Sequence, residues 1–414
     1  MKSFKNYYPP YVILSFLYLL FIIFAFFLDS PLEIYQGLKR IIFSSDILIT
    51  DYMELGGINA ALTSLLSISL LMINGIKPNG STIMSLWLMT GFSFLGKNIF
   101  NIWPIILGVY LFSRYQKEPF LNYILVAILG TSLSPIVSQI SFGDHLSTPI
   151  DFLIGILLGV LVGFILPPIA SHSIKAHNGY NLYNIGFASG LLATLLMSIL
   201  RSFGVNFDSR LIWHSGSNKI LFILLMICCF YLIIVGLIRG KNKKSTLSTI
   251  NKQTGRLISD FYILFGETTY INMGILGILA TLFVVLIGGD LNGATICGIF
   301  TIIGFGAFGK NIKNTIPVVI GASIAALFNA LTRITAAIIK FLLTEKSILF
   351  STTLAPICGK FGWKYGILAG VIHVNIVTNI GYLHGGLNLY NNGLAGGFVA
   401  MILIPLITTF KKEI

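Results

Sequence analysis

Residues 11–28 run without a single charged side chain, and apolar runs of this kind recur almost to the C-terminus. A helix needs about 20 apolar residues to cross a bilayer. Only 10% of the residues are charged and 55% are hydrophobic, with a mean hydropathy of +0.88. Soluble domains carry about 25% charged residues. The pattern excludes a disordered chain, a nucleic-acid-binding domain and a cytosolic enzyme. It predicts an all-α polytopic membrane protein with about 12–14 membrane segments, some of them re-entrant or broken. The first run is longer than the apolar core of a signal peptide and no small-residue cleavage site follows, so it reads as a retained transmembrane helix.

Apolar composition makes Leu fall on Leu by chance, but it does not repeat polar words in order. Shifted by 213 residues, residues 79–108 fall on residues 292–321 without a gap, with 13 of 30 positions identical. The same shift brings Glu54 onto Glu267 and Asn59 onto Asn272. Further on, TSLSPIV (131–137) matches TTLAPIC (352–358). HNGYNLYNIGFASG (177–190) matches HGGLNLYNNGLAGG (384–397) at 9 of 14 positions. The chain is therefore a duplication. Residues 1–53 read as a transmembrane helix and external loop, 54–203 as the first membrane repeat, and 204–266 as a connecting helix with a basic cytoplasmic linker. Residues 267–414 read as the second repeat with a short tail.

The charge excess of +13 (27 Lys and Arg against 14 Asp and Glu) sits in short loops, which points to orientation rather than to an acidic partner. Lys2 and Lys5 place the N-terminus inside. The basic linker (241–256) and Lys411 and Lys412 are also inside. The first repeat then crosses an even number of times, and the second starts on the opposite side, giving an inverted topology. Lys77, Arg114, Lys117, Lys175, Lys310, Lys313, Lys360 and Lys364 agree with this. Lys39, Arg40, Arg210, Arg333, Lys340 and Lys346 do not. The expected location is the bacterial inner membrane, multi-pass, with both termini cytoplasmic.

Four duplicated groups carry the candidate chemistry. Gly96-Lys97-Asn98 with Asn101 and Pro104 is twinned by Gly309-Lys310-Asn311 with Asn314 and Pro317. The glycine ends a short apolar segment and the polar residues occupy a break. Free backbone groups at such a break are tolerated only within protein or around water. Each Lys reads either as an anion ligand or as an interfacial anchor. His177, Asn181, Tyr183 and Asn184 are twinned by His384, Asn388, Tyr390 and Asn391. Their spacing predicts that His177, Asn181 and Asn184 share one helix face, lining a solute path or bonding helices together. Pro135 with Ser134, and Pro356 with Thr353, predict a kink, or a break with hydroxyl partners. Glu54 and Glu267 are the acidic pair held in both halves. They read as H⁺- or Na⁺-coupling groups or as exposed caps.

Asp151 is expected to cap a helix, and His373 and Asn375 have no twin. Cys228, Cys229, Cys297 and Cys358 read as packing residues. No metal-ligand spacing, cofactor motif or catalytic motif occurs. The residues that would bind substrate are Lys97, Asn98, Asn101, His177, Asn181, Asn184, Lys310, Asn311, Asn314, His384, Asn388 and Asn391.

The doubled GKNxxNxxP and HxGxNLYNxG pattern resembles a bacterial polytopic membrane family of unknown function that is itself described as a repeated domain. That resemblance implies an architecture and no activity. An inverted duplication with broken segments is also similar, at the level of fold, to urea channels and their relatives. The Leu-Pro-Pro-Phe-type signature of those proteins is not matched by SLSPIVS or TLAPICG.

The expected function is secondary transport of a small polar or anionic solute, because both repeats retain a Lys and a Glu. The alternatives are a passive channel for a neutral solute such as urea or ammonia, and a non-transporting membrane enzyme or assembly factor. Expected partners are the lipid bilayer and the solute, with no nucleic acid.

Overall fold

The computed structural model describes residues 9–44, 53–143, 148–207, 216–256, 259–331 and 345–410. Lys2, Lys5, Arg210, Arg333, Lys340, Lys411 and Lys412, used above for orientation, lie outside these residues, as do the side chains of Glu54 and Lys346.

The described residues form helices and no strand, with one isolated bridge between Asp260 and Phe308. The first half comprises α1 (Pro9–Leu28), α2 (Pro31–Ile42), α3 (Met53–Ile73), α4 (Gly80–Ser93), α5 (Trp103–Tyr115), α6 (Ile124–Gly130), α7 (Ser134–Ser141), α8 (Thr148–His177) and α9 (Asn184–Ser202). The second comprises α10 (Asn218–Arg239), α11 (Lys243–Ile250), α12 (Phe261–Phe265), α13 (Thr269–Leu286), α14 (Gly293–Phe305), α15 (Ile312–Leu331), α16 (Glu345–Ser351), α17 (Ala355–Phe361), α18 (Trp363–Ile380) and α19 (Asn391–Phe410). Nine spans among the described residues are long and apolar enough to cross a membrane. The expected segments, about 12–14, include broken and re-entrant ones, and the shorter apolar helices Gly57–Ile73 and Gly293–Phe305 stand beside the nine. α4 and α14 have 14 and 13 residues.

The duplication is visible element by element. α3 to α9 recur in order as α13 to α19. α1 packs on α3 as α10 packs on α13, so a leading helix accompanies each repeat. Both short central helices begin with the same device. Asn79 caps α4 and Asn292 caps α14, each in a capping box with Thr82 or Thr295. At Pro135 and Pro356 the expected kink is a true interruption, a 3-10 turn over Thr131–Leu133 or Thr352–Leu354.

The two halves meet through their own twins. A Cβ added to Gly91 of α4 would lie 3.2 Å from Cys297 Cα of α14. One added to Gly304 of α14 would lie 3.2 Å from Met84 O of α4. Between these contacts the twin residues Trp87 and Phe300 meet edge to face, with centroids 5.1 Å apart. Rising numbers along α4 thus meet falling numbers along α14, so the twins run antiparallel. α9 and α19 cross at Gly186 and Gly393, where a Cβ on Gly393 would stand 2.8 Å from Gly186 Cα. Small residues at such a crossing let the backbones touch. Each of the two crossings thus brings a helix against its own twin.

The large apolar cluster joins α1, α3, α4, α10, α13 and α14. All four cysteines are free and buried.

At the α9–α19 crossing an added side chain meets backbone, which cannot yield. Gly393→Val is therefore expected to cost about 3 kcal/mol of stability. Gly204→Ala, at φ +82° but in open space, should cost only about 1 kcal/mol, for its backbone conformation. Thermal unfolding in detergent, followed by size-exclusion fluorescence, measures both. Equal shifts would refute the close crossing.

Candidate functional site

Each short central helix ends in the same cap. Gly96 and Gly309 take φ +106° and +104°, a region open to glycine. The next amide, of Lys97 or Lys310, turns back to donate to Phe92 O or Phe305 O at 3.3 and 2.9 Å. The chain then runs unwound to α5 or α15.

The asparagines close that break. Asn98 N–H donates to Asn101 Oδ1, and Asn101 N–H returns a bond to Asn98 Oδ1, both at 2.9 Å. Asn311 and Asn314 repeat the exchange at 2.9 and 3.0 Å. Asn101 Nδ2 donates to Gly96 O and Asn314 Nδ2 to Gly309 O, each at 2.9 Å. Asn98 Nδ2 reaches back to Ile41 O at the end of α2, and Asn311 Nδ2 to Ile250 O at the end of α11, again at 2.9 Å. Asn59 and Asn272 clamp from the other side, donating to Lys97 O and Lys310 O at 2.7 and 2.9 Å. These amide groups satisfy the stranded backbone of the break.

The second group does not lie on one helix face as its spacing predicts. His177 ends α8, Asn181 sits in the following loop and Asn184 opens α9. Two successive residues with positive φ, Asn178 and Gly179, interrupt the helix that the 3.6-residue period assumed. His177 Nε2–H donates to Asn184 Oδ1 at 3.0 Å across the turn, and Asn184 Nδ2 donates to Ala170 O. His384 and Asn391 form the same bracket at 3.0 Å, with Val377 O as the acceptor of the second bond. The brackets present the loop tyrosines to the opposite repeat.

There the two groups meet. Lys310 is fully buried, and its Nζ donates to Tyr183 Oη and to Thr352 Oγ1, both at 2.7 Å. It stands 4.8 Å from the Tyr183 ring centroid and 4.9 Å from that of Phe305. Lys97 is equally buried, 5.2 Å from the Phe92 centroid and 5.7 Å from that of Tyr390. The twin residues Tyr183 and Tyr390 have centroids 6.4 Å apart. Each lysine thus faces the tyrosine of the other repeat within one aromatic cluster.

Identical residues are bonded differently on the two sides. Lys97 Nζ and Tyr390 Oη have no hydrogen-bond partner. Asn181 Nδ2 donates to Gly393 O at 3.0 Å, and its Oδ1 accepts from Thr353 Oγ1. Its twin Asn388 has an unpartnered Nδ2. Residues of the linker cover the second break, where Gln253 O and Thr254 O accept from Asn311 and Asn314.

Among the described residues the one ion pair resolved at a duplicated acid joins Glu267 to Arg239 at 2.7 Å. Glu54 begins α3, its side chain outside the described residues. Asp151 lies buried in the first turn of α8. His373 Nε2 meets Asn392 O at 3.3 Å, and Asn375 accepts from Asn329. No group of three or more acids, histidines or cysteines that would hold a metal occurs among the described residues.

Sequence reasoning ranked Tyr183 and Tyr390 below their neighbours and passed over Thr352, Phe92 and Phe305. Their signal was the duplication itself, since the Phe, Tyr and Thr positions are identical in both repeats.

An unpaired buried ammonium is costly, whereas a bonded one loses its bonds when removed. Lys97→Met is expected to raise the stability of the ligand-free protein and Lys310→Met to lower it, with the two about 2 kcal/mol apart. Thermal unfolding in detergent reads the difference. Equal effects would refute the asymmetry.

No curated protein and no solved structure matches the chain. Residues 30–202 and 240–409 both match a family described as protein of unknown function (DUF1576). This is a polytopic helical membrane protein with a duplicated domain, and the chain belongs to that family.

Proposed function

We propose that this protein is a secondary transporter of a small polar or anionic solute, working by alternating access between two inverted repeats. The observation that carries the reading is the pair of buried lysines. Each comes from the broken segment of one repeat and faces the tyrosine of the other, and no carboxylate among the described residues is bonded to either. A cation held in a bilayer without a counter-charge marks a substrate or ion pathway. Broken segments in corresponding positions of two repeats are where transporters bind their solutes.

The antiparallel twins α4 and α14 support inversion. If both lie along the bilayer normal, the axis relating them lies in the membrane plane. The basic residues then put both termini and the linker in the cytoplasm. The asymmetry supports alternation, because Lys310 Nζ is hydrogen-bonded while Lys97 Nζ has no partner. Glu54 and Glu267 are the proposed coupling groups for H⁺ or Na⁺, with the Arg239 pair as the contact that Glu267 would exchange.

Purified protein in liposomes on a solid-supported membrane tests the reading, by concentration jumps of small carboxylates, amino acids and urea at fixed Na⁺ and pH. A saturable current is expected that disappears in a Lys97→Ala/Lys310→Ala variant. Non-saturating urea flux without any current would instead establish the neutral-solute channel.

Because the four native cysteines are buried, single introduced cysteines report sidedness. Lys244→Cys in the linker should label only from the cytoplasm, and Ser202→Cys at the end of α9 only from outside. Labelling of both from one face would refute the topology.

A further inference from the structure

We infer that this conformer holds one seat, not two, for a small carboxylate with an apolar tail, between Lys97 Nζ and Tyr390 Oη. The inference rests on the transport reading for its purpose, but its chemistry comes from the unpartnered atoms.

Lys97 Nζ and Tyr390 Oη have nothing to bond, and neither does Asn388 Nδ2 in the loop that carries Tyr390. Their residues are each at most 3% exposed. Asn388 Oδ1 already accepts from Tyr390 N–H at 3.0 Å, which fixes the amide orientation and leaves its NH₂ free. A lysine ammonium and an amide NH₂ can only donate, and a phenol can donate. The set therefore asks for a ligand made of acceptors. A carboxylate fits: it carries the missing negative charge and can take the ammonium and the phenol on its two oxygens. Urea and ammonium bring several N–H donors and no negative charge, while the phenol oxygen is the one acceptor of the set; an amino acid adds an ammonium beside its carboxylate, so in each case buried donors are left unbonded and penalised. The walls are apolar. Phe92 stacks on Tyr390 with centroids 4.0 Å apart, and Phe350 stands 5.9 Å from Phe92. A hydrocarbon tail suits them better than a second charge.

The twin site shows what fills the seat when no ligand does. On the other side Tyr183 Oη and Thr352 Oγ1 accept from Lys310, so protein oxygens occupy the positions a carboxylate would take. Only on the Lys97 side are the lysine and the tyrosine hydroxyl unbonded, hence one ligand per chain.

Isothermal titration of the full chain in nanodiscs tests this, with formate, acetate, benzoate, inorganic phosphate, glycine and urea as separate titrants. A monocarboxylate is expected to bind at one per chain, with glycine and urea at least tenfold weaker. Lys97→Met should abolish binding, and its unfolding temperature shows that it is folded. Tyr390→Phe, which loses only the hydroxyl, should weaken binding about tenfold. Two equivalents per chain, binding unchanged in Lys97→Met, preference for urea or glycine, or no binding of any anion would each overturn the seat.

Flux measured on the same preparations separates the two readings. Lys97-dependent binding without flux of any solute removes the transport reading and leaves the seat. Flux of a solute without anion binding removes the seat and leaves transport.

Discussion

A helix broken inside a bilayer strands backbone donors and acceptors where water cannot reach them, and the rest of this structure follows from how that break is closed. Asn98 and Asn101 bond each other and the Gly96 carbonyl, and Asn59 takes the Lys97 carbonyl. Nothing in this clamp uses the lysine side chain. The ammonium is thereby left for another purpose, held in place by a backbone that cannot drift. Asn311, Asn314 and Asn272 do the same for Lys310. The clamps also reach the ends of α2 and α11 through Ile41 O and Ile250 O. The position of each break is thus tied to a helix outside the central bundle.

The close crossings explain how the lysines meet the tyrosines. α4 and α14 touch through Gly91 and Gly304, and α9 and α19 through Gly186 and Gly393. With backbones this near, the loop before α9 reaches the break after α14, and the loop before α19 reaches the break after α4. A larger residue at any of these glycines would separate the two halves of the cluster. Function at this interface would then depend on glycines that contribute no side-chain chemistry.

Much of this was legible in the sequence, for identifiable reasons. Long uncharged runs have few alternatives to membrane helices, and recurring polar words have no explanation except duplication. The break at Gly96-Lys97-Asn98 was legible because glycine and proline punctuate a helix by steric rules. The turn at Asn178-Gly179 was not, since a helical period and a His–Asn bracket across a turn place polar residues at similar spacings. The sequence assigned the asparagines to the substrate. Asn98 and Asn101 instead spend their donors on carbonyls and a serine hydroxyl. That distinction depends on which carbonyls lie nearby, and no spacing encodes it. The partnership of Lys97 with Tyr390 joins residues nearly three hundred positions apart, and only the fold brings them together.

The asymmetry is the feature no sequence could carry, because its participants are the same. Lys97, Tyr390 and Thr131 repeat Lys310, Tyr183 and Thr352, yet one set is bonded and the other is open. Under the transport reading, equal residues allow the opposite arrangement with the same bonds, and what is not duplicated biases one against the other. Among the described residues such differences include the linker carbonyls of Gln253 and Thr254 on the second break, and Thr353 bonding Asn181 where Ser132 bonds Ser189 instead. Each amounts to one or two hydrogen bonds, about 1 kcal/mol apiece. A bias of that size leaves the opposite arrangement within reach of a ligand that binds it better. Under the transport reading, the linker and the Thr353–Asn181 contact set the resting side, and the duplicated lysines provide two equivalent ends to move between.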